Sequence, residues 1–329
     1  MNSTKQYHDL LQYVLDNGKL KQDRTSTSTL SIFDYSLKLD LLNDFPIITT
    51  KKLHLKSIIH ELLWFLKGDT NVKYLNKNSV TIWNEWADEN GELGPIYGKQ
   101  WVDWGGWFSE GHADGKGGHG RYFNGINQIK EAIDILKSSP DSRRILINAW
   151  NVGELKDMKL PPCHWAFELY SEELTEEERK KYWCMSLKKS GYYAERLDHE
   201  DLDKVGCPRR RLSMKWHQRS VDSFLGLPFN MASYGFLLKM ISIEVGMFPG
   251  QLIGDLTNVH IYRNHVEYAM EQLERDPHIY ASPEVLINFG DVSNKGKGFK
   301  KSIFDIVYDD FYIGKYEAYP NWKKVPIAI

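Results

Sequence analysis

The sequence predicts an α+β architecture, or a mixed-sheet α/β one. Helix-spaced and strand-spaced apolar patterns interleave without the strict strand–helix–strand rhythm of a parallel fold. No internal repeat is visible. With 329 residues, 42% of them hydrophobic, the chain can bury a large core. On length alone, one domain with insertions competes with two domains.

The first segment with a pattern is helical, with Leu10, Leu11, Val14 and Leu15 on one face. It lacks the basic and continuous apolar regions of a signal peptide. No stretch approaches the roughly 20 apolar residues of a membrane span. A polar, Thr- and Ser-rich segment (21–29) precedes a strand over LSIFDYSLKLDL. Apolar positions 55, 58, 59, 62, 63 and 66 predict a helix from Leu53 to Leu66, and Gly68 ends it. Trp83 to Trp101 reads as loop with short elements, and the Gly-rich 105–125 as an exposed insertion. A helix over Ile126 to Leu136 and a strand over Arg144 to Trp150 flank a Pro140–Asp141 turn. Phe167 to Tyr170 reads as a further strand. The charged run 171–211 reads as a solvated insertion decorating the surface. Leu212, Met214 and Trp216 alternate as in a half-buried strand. Asn230 to Val245 predicts a buried helix, and Leu252 to Tyr262 a strand leading into another helix. The tail after Phe304 has strand-like stretches.

The formal net charge of −2 argues against a general nucleic-acid binder, so an anionic ligand must be met by local Arg. Cysteines at 163, 184 and 207 fit neither a disulfide framework nor a zinc site, which points to a reducing, intracellular setting. Walker A, GxGxxG, HExxH and CxxC patterns are absent, and no metal is expected.

Four features could carry chemistry. LPPCHW (160–165) fixes the approach to Cys163 with two prolines, and a nearby Arg would favour its thiolate; a buried structural cysteine is the competing reading. His164, adjacent on a strand, need not share its face. PDSRR (140–144) offers paired guanidinium groups to a phosphate or carboxylate, or simply a solvated surface. HQRSVDSFLGLPFN (217–230) sets Arg219, Ser220, Asp222 and Asn230 around an apolar turn. The Asn230 amide matches one edge of a uracil ring, or else caps the helix beginning there. In NVHIYRNH (258–265), His260 and Tyr262 share a strand face and could both reach a sugar hydroxyl, with core packing as the alternative.

Taken together, FPIITTKKLHLKSIIHELLWFLKGDTN, IWNEWADENGELGPIYGKQW, PDSRR, AWNVGELKDMKLPPCH, QRSVDSFLGLPFNMASY, HIYRNH and the closing PIAI stand in an order that resembles the thymidylate synthases. The resemblance spans nearly the whole chain. It implies one domain, 1–329, with surface insertions at about 105–125 and 171–211. It also implies a large mixed sheet flanked by helices, and a cytoplasmic homodimer built sheet to sheet. The implied reaction is methylation of dUMP to dTMP with 5,10-methylenetetrahydrofolate, a reduced folate, as one-carbon and hydride donor.

By the same resemblance Cys163 is the nucleophile toward C6. Arg24, Arg219 and Ser220 hold the phosphate, joined by Arg143 and Arg144 of the second subunit. Asn230 reads the uracil edge, and His260 and Tyr262 the 3′-hydroxyl. Glu61 and Tyr97 order water and move protons, and Asp222 supports base and folate. His54, Trp83, Gly226, Phe229 and Ala328 fall on the folate side, and the tail ending at Ile329 would exclude water. The chain departs from the family pattern at Ser26 and Ser28, at Asn258, at Trp165 and in its two insertions.

The nearest rival is a deoxyuridylate hydroxymethylase, which would let water replace hydride; Trp83 and the intact tail favour methylation. A cytosine-specific hydroxymethylase resembles this pattern with Asp in place of Asn230. An RNA-binding regulator retaining the fold is opposed by the charge. A Cys-His hydrolase lacks an oxyanion pattern beside Cys163.

Overall fold

The computed structural model describes residues 2–22, 27–105, 125–187, 196–290 and 300–326. Arg24, Ala328 and nearly all of the 105–125 insertion lie outside them. Helix α1 (Ser3–Asn17) starts where the Asn2 side chain accepts from the Lys5 amide, and it buries Leu10, Leu11 and Val14. Strands β1 (Lys19–Lys21) and β2 (Thr29–Asp40) follow. Helix α2 (Leu55–Leu66) has buried residues nearly all round, as a helix inside a core must. Each Leu or Phe it buries contributes about 1.5–3 kcal/mol. Gly68, at φ +67, turns the chain out of it. Helices α3 (Lys73–Lys77), α4 (Tyr97–Val102) and α5 (Gln128–Ser138) precede β3 (Leu146–Asn148). Then come β4 (His164–Glu173), α6 (Glu176–Leu187), α7 (His199–Lys204), β5 (Arg210–Asp222), α8 (Gly226–Val245), β6 (Phe248–Tyr262) and α9 (Val266–Leu273).

The main sheet runs β1-β2-β6-β5-β4-β3. Its β5–β6 pair is parallel, bridged by α8, and every other pair is antiparallel. The sheet is therefore mixed, as expected. A separate hairpin pairs β7 (Val285–Ile287) with β8 (Phe311–Ile313). Because β5 and β6 run together and β4 runs against them, the start of β4 lies beside the ends of β5 and β6. His164 pairs with Gln218, Asp222 with His260, and Thr29 with Tyr262. That shared end of the sheet collects Cys163, Arg219, Ser220, Asp222, His260 and Tyr262.

Several elements differ from expectation. The helix expected from Asn230 begins at Gly226, so Asn230 is an interior residue and not a cap. β6 starts at Phe248, because parallel pairing with β5 reaches back to Arg211. β4 extends well past Phe167–Tyr170 at both ends, while the strand expected over Arg144–Trp150 shrinks to three residues.

The charged 171–211 run, expected to be solvated, is folded in its described residues, 171–187 and 196–211. It completes β4, carries α6 and α7, and seats Leu174, Leu202, Cys207 and Phe248 in a small second core. Arg179 is fully buried there. It donates to Asp203 Oδ1 (2.7 Å), His199 Nδ1 (2.8 Å) and the carbonyls of His199, Cys207 and Pro208 (3.1, 2.8 and 3.2 Å). A guanidinium with five donor N–H groups can satisfy that many acceptors, which lets polar chain pack without a large apolar core.

Candidate active site

Cys163 is partly exposed at the mouth of β4. Its main chain is held on both sides. Its N–H donates to the Tyr97 hydroxyl (2.8 Å), and its carbonyl accepts from the Arg219 N–H (2.9 Å). The Arg219 side chain returns to the same loop, donating from Nε to Pro162 O (2.9 Å) and from one terminal nitrogen to Pro161 O (3.1 Å). Its guanidinium also lies 5.1 Å from the Trp150 ring centroid. The prolines thus act twice: they stiffen the loop, and their carbonyls receive the arginine. One residue on, the register of β4 against β5 shifts between His164 and Ala166. Trp165 is the extra residue, and such bulges re-aim neighbouring side chains.

His164 turns into the core, as strand alternation suggests. Its Nδ1 meets the Tyr234 hydroxyl (2.9 Å), and its ring stacks on Tyr97 (4.3 Å). Burial pushes its pKa down to about 3, so it is a neutral packing group and not a base for Cys163.

Tyr97 reaches Cys163 because α4 docks closely on α2. A Cβ on Gly98 would sit 2.5 Å from the Phe65 carbonyl oxygen, so only glycine allows the approach. Burial, and then the nearby Cys163, raise the Tyr97 pKa well above the usual phenol value. Glu61 lies on the same helix as Phe65. Part of its surface stays open, yet protein packs closely around the carboxyl, and this desolvation raises its pKa to about 7. The buried Trp83 Nε1–H donates to Glu61 Oε1 (2.6 Å) and acts in the opposite direction. Trp83 in turn meets Tyr97 edge-on (5.9 Å).

Toward β6 the cluster continues through Gln218, almost fully buried, whose Nε2 donates to Asn230 Oδ1 (3.1 Å) and to Ser220 O (3.1 Å). This fixes the Asn230 amide with Nδ2 as a donor and a remaining lone pair on Oδ1. Asp222 Oδ1 accepts from the amides of Phe224 (3.0 Å) and Leu225 (3.2 Å), shaping the turn into α8. His260 Nδ1 faces Asn258 O (3.1 Å). A carbonyl can only accept, so Nδ1 carries the proton and Nε2 is an acceptor. Tyr262 stands edge-on to it at 5.1 Å. Asn258 Oδ1 accepts from Ser31 Oγ (2.7 Å), and Asn258 pairs with Ser220.

Glu61, Trp83, Tyr97, Cys163, Arg219, Ser220, Asp222, Asn230, His260 and Tyr262 therefore form one continuous set of contacts and strand pairings. A model of the thymidylate synthase family matches residues 5–329. The chain belongs to that family. It is a family of methyltransferase-type enzymes of nucleotide biosynthesis, which generally use methylenetetrahydrofolate.

Not all expected residues join the set. Arg143 and Arg144 are exposed beside β3, and among the described residues neither side chain bonds to any member of it. His54 is exposed at the start of α2, with Nδ1 on Ser57 Oγ (2.7 Å). Phe229 is half-buried against the core. Gly226 opens α8, and among the described residues a Cβ there would meet only Asp222 Cβ at an ordinary 3.5 Å, so none of them requires glycine at this position. Among the described residues no group of His, Cys, Asp or Glu is arranged to hold a metal, and no helix is long and apolar enough to cross a membrane.

Sequence reasoning missed two residues. Gln218 precedes Arg219 and carries a buried amide whose value shows only once Asn230 is beside it. Lys51 is buried, donates from Nζ to Phe224 O, and lies 3.9 Å over the Phe224 ring. Desolvation lowers its pKa to about 7, against the pull of Asp222. Its only signal was a Lys set in the apolar-flanked ITTKKL run.

Proposed function

We propose that the protein converts dUMP to dTMP by reductive methylation, with Cys163 adding to C6 of the uracil. The observation that carries this is the Cys163 loop, clamped between Tyr97 and Arg219 with an oriented Asn230 and a protonatable Glu61 in the same set. Arg219 and Ser220 take the phosphate near the end of β5, joined by Arg24. Asn230 pairs with the uracil edge. His260, an acceptor at Nε2, and the Tyr262 hydroxyl take the 3′-hydroxyl.

In this reading the reduced folate lies beside Asp222. Gly226 leaves open the space a side chain would fill beside Asp222, and the exposed His54 and half-buried Phe229 offer ring faces for a flat heterocycle; Trp83, buried on Glu61, belongs to the same side. Ala328 belongs to this side. When bound, 5,10-methylenetetrahydrofolate supplies a one-carbon unit and then a hydride, and leaves as dihydrofolate.

The protein's own part is electrostatic and protonic. As the Cys163 sulfur bonds to C6, the C5–C6 π electrons move toward C5 and O4. Asn230 and the acid form of Glu61, through ordered water, stabilise that charge. C5 then bonds to the one-carbon unit and gives up its proton. Tyr97, held as a neutral phenol, relays that proton through its hydroxyl rather than acting as a phenolate. Breaking the bond between the one-carbon unit and the folate nitrogen would leave an exocyclic methylene on the base with Cys163 still bonded to C6; hydride added to that carbon would complete the methyl group, restore the C5–C6 double bond and release Cys163 as thiolate. Excluding water at that stage falls to Trp83 and the tail.

Exposed Arg143 and Arg144, with Leu146 and Tyr170 exposed on the neighbouring strands, suit a homodimer in which each subunit's arginines complete the other's phosphate site. The setting is cytoplasmic.

One assay decides the reaction. Purified protein is mixed with dUMP and methylenetetrahydrofolate, and the nucleotide is identified by mass. The expected products are dTMP and dihydrofolate; hydroxymethyl-dUMP with tetrahydrofolate would replace this reading by the hydroxymethylase one. A second expectation concerns Gln218→Leu. Without its Nε2 donor the Asn230 amide is free to rotate, so dUMP affinity measured by calorimetry should fall about tenfold, roughly one hydrogen bond. An unchanged affinity would remove Gln218 from base recognition.

A further inference from the structure

The C-terminal segment is held by the 48–53 stretch and, nearer its end, by α9 and the residues flanking it. Trp322 Nε1 donates to Glu271 Oε2 (2.6 Å). The Arg275 guanidinium lies 4.0 Å over the Trp322 ring and donates to Pro320 O (3.0 Å) and Thr50 O (2.7 Å). The Tyr268 hydroxyl reaches Lys324 O (3.4 Å).

The contact nearest the end of the described tail is of another kind. His265 is fully buried, and its Nε2 lies 2.6 Å from Pro326 O. Since a carbonyl only accepts, Nε2 carries the proton and Nδ1 is left with a lone pair. Nδ1 is buried and has no hydrogen-bond partner among the described residues. The ring is therefore held by one hydrogen bond to the tail and by packing, edge-on to Tyr262 (5.7 Å, 83°) and against Phe224 (5.5 Å). Tyr262 is the residue assigned above to the sugar. Phe224 follows Asp222, which caps its amide, and its carbonyl receives Lys51. A side chain with a single polar tether and an unmet buried nitrogen is sensitive to small shifts of its neighbours.

We infer that His265 is a positioning residue that couples occupancy of the nucleotide-sugar subsite at Tyr262 to seating of the C-terminal segment at Lys324–Pro326. The inference rests on the dUMP reading. Bound sugar fixes the Tyr262 ring, the fixed ring holds the His265 imidazole in its donating pose, and Nε2 then secures the Pro326 carbonyl. The tail would thereby seat preferentially after the nucleotide has bound.

Amide hydrogen exchange of the peptide covering residues 320–326, measured on the full chain with and without dUMP, tests this. In the parent, dUMP should slow exchange by about tenfold, within the usual range of coupling between sites. His265→Phe keeps a ring against Tyr262 and Phe224 but deletes the donor; it should retain dUMP affinity within about threefold and lose the slowing. His265→Gln, whose amide nitrogen can take the Nε2 position, should restore most of it. Trp322→Phe, which deletes the Glu271 bond and trims the ring under Arg275 without touching His265, should speed exchange in both states and keep the ratio between them. A parent that binds dUMP by calorimetry without slowing, or a His265→Phe protein that keeps the slowing, would overturn the coupling alone. Failure of the parent to bind dUMP would overturn the functional reading and the coupling together.

Discussion

Cys163→Ser is expected to lower dTMP formation by about 10⁴-fold or more, the scale seen when a nucleophile is removed from its machinery. Affinity for dUMP should stay within about threefold of the parent. The reason lies in how the loop is held. Tyr97 takes the main-chain N–H of residue 163, and the Arg219 N–H gives to its carbonyl; neither contact involves the sulfur. Arg219 grips the carbonyls of Pro161 and Pro162, again independently of the side chain. The substitution should therefore leave the phosphate and base contacts in place. What it removes is a thiol, which ionises far more readily than a serine hydroxyl. A serine hydroxyl needs a base, and the adjacent imidazole is unsuited to the task, being committed to Tyr234 and Tyr97 inside the core. A stopped assay for dTMP, with calorimetry for dUMP, measures both parts. Turnover near the parent rate would remove the central chemical step proposed for this site.

The sequence made the elements legible where burial pattern and local geometry agree. The α1 face at Leu10, Leu11 and Val14, the α2 face and the Gly68 stop all follow from side-chain period and backbone sterics, and they are found as expected. Strand limits were less legible, because pairing sets them. β6 reaches back to Phe248 only because β5 lies parallel beside it. The 171–211 run misled for a different reason. Its second core is too small to give a clear apolar period, and its most buried large side chain is an arginine whose five hydrogen bonds come from residues far along the chain.

The site divides in the same way. Cys163, Arg219, Asn230, His260 and Tyr262 stand in motifs with recognisable chemistry, and the strand ends bring them together. Gln218 and Lys51 do not announce themselves, since a buried amide or amine acquires meaning only from its partner. The tautomer of His260 is likewise a tertiary fact, fixed by the Asn258 carbonyl. For Asn230 the sequence left two readings open, a base reader or a helix cap. The start of α8 at Gly226 removes the second.

Glu61→Gln is the other substitution with a large expected effect, and here pH gives the sharper test. Desolvation raises the Glu61 carboxyl to about 7, with the Trp83 indole N–H partly opposing it. The acid form is the one able to stabilise charge growing on the O4 side of the base, so kcat/KM for dUMP in the parent should decline as pH rises through about 7. Glutamine cannot titrate. The variant should lose about 10²–10³-fold in activity and lack that inflection. Trp83→Phe deletes the donor that favours the carboxylate, so its inflection should move to higher pH. Stability must respond with a definite sign. A carboxyl raised from 4.5 to about 7 on folding binds more protons in the native than in the unfolded state between those values. Its stabilisation is thus fully present below the unfolded pKa and is lost as pH rises through the folded one, by up to about 3 kcal/mol. Glu61→Gln should accordingly match or exceed the parent in urea at pH 8 and show a flatter stability profile between pH 4.5 and 7. A parent pH–rate profile without an inflection near 7, or one that survives in Glu61→Gln, would assign the proton work to another residue.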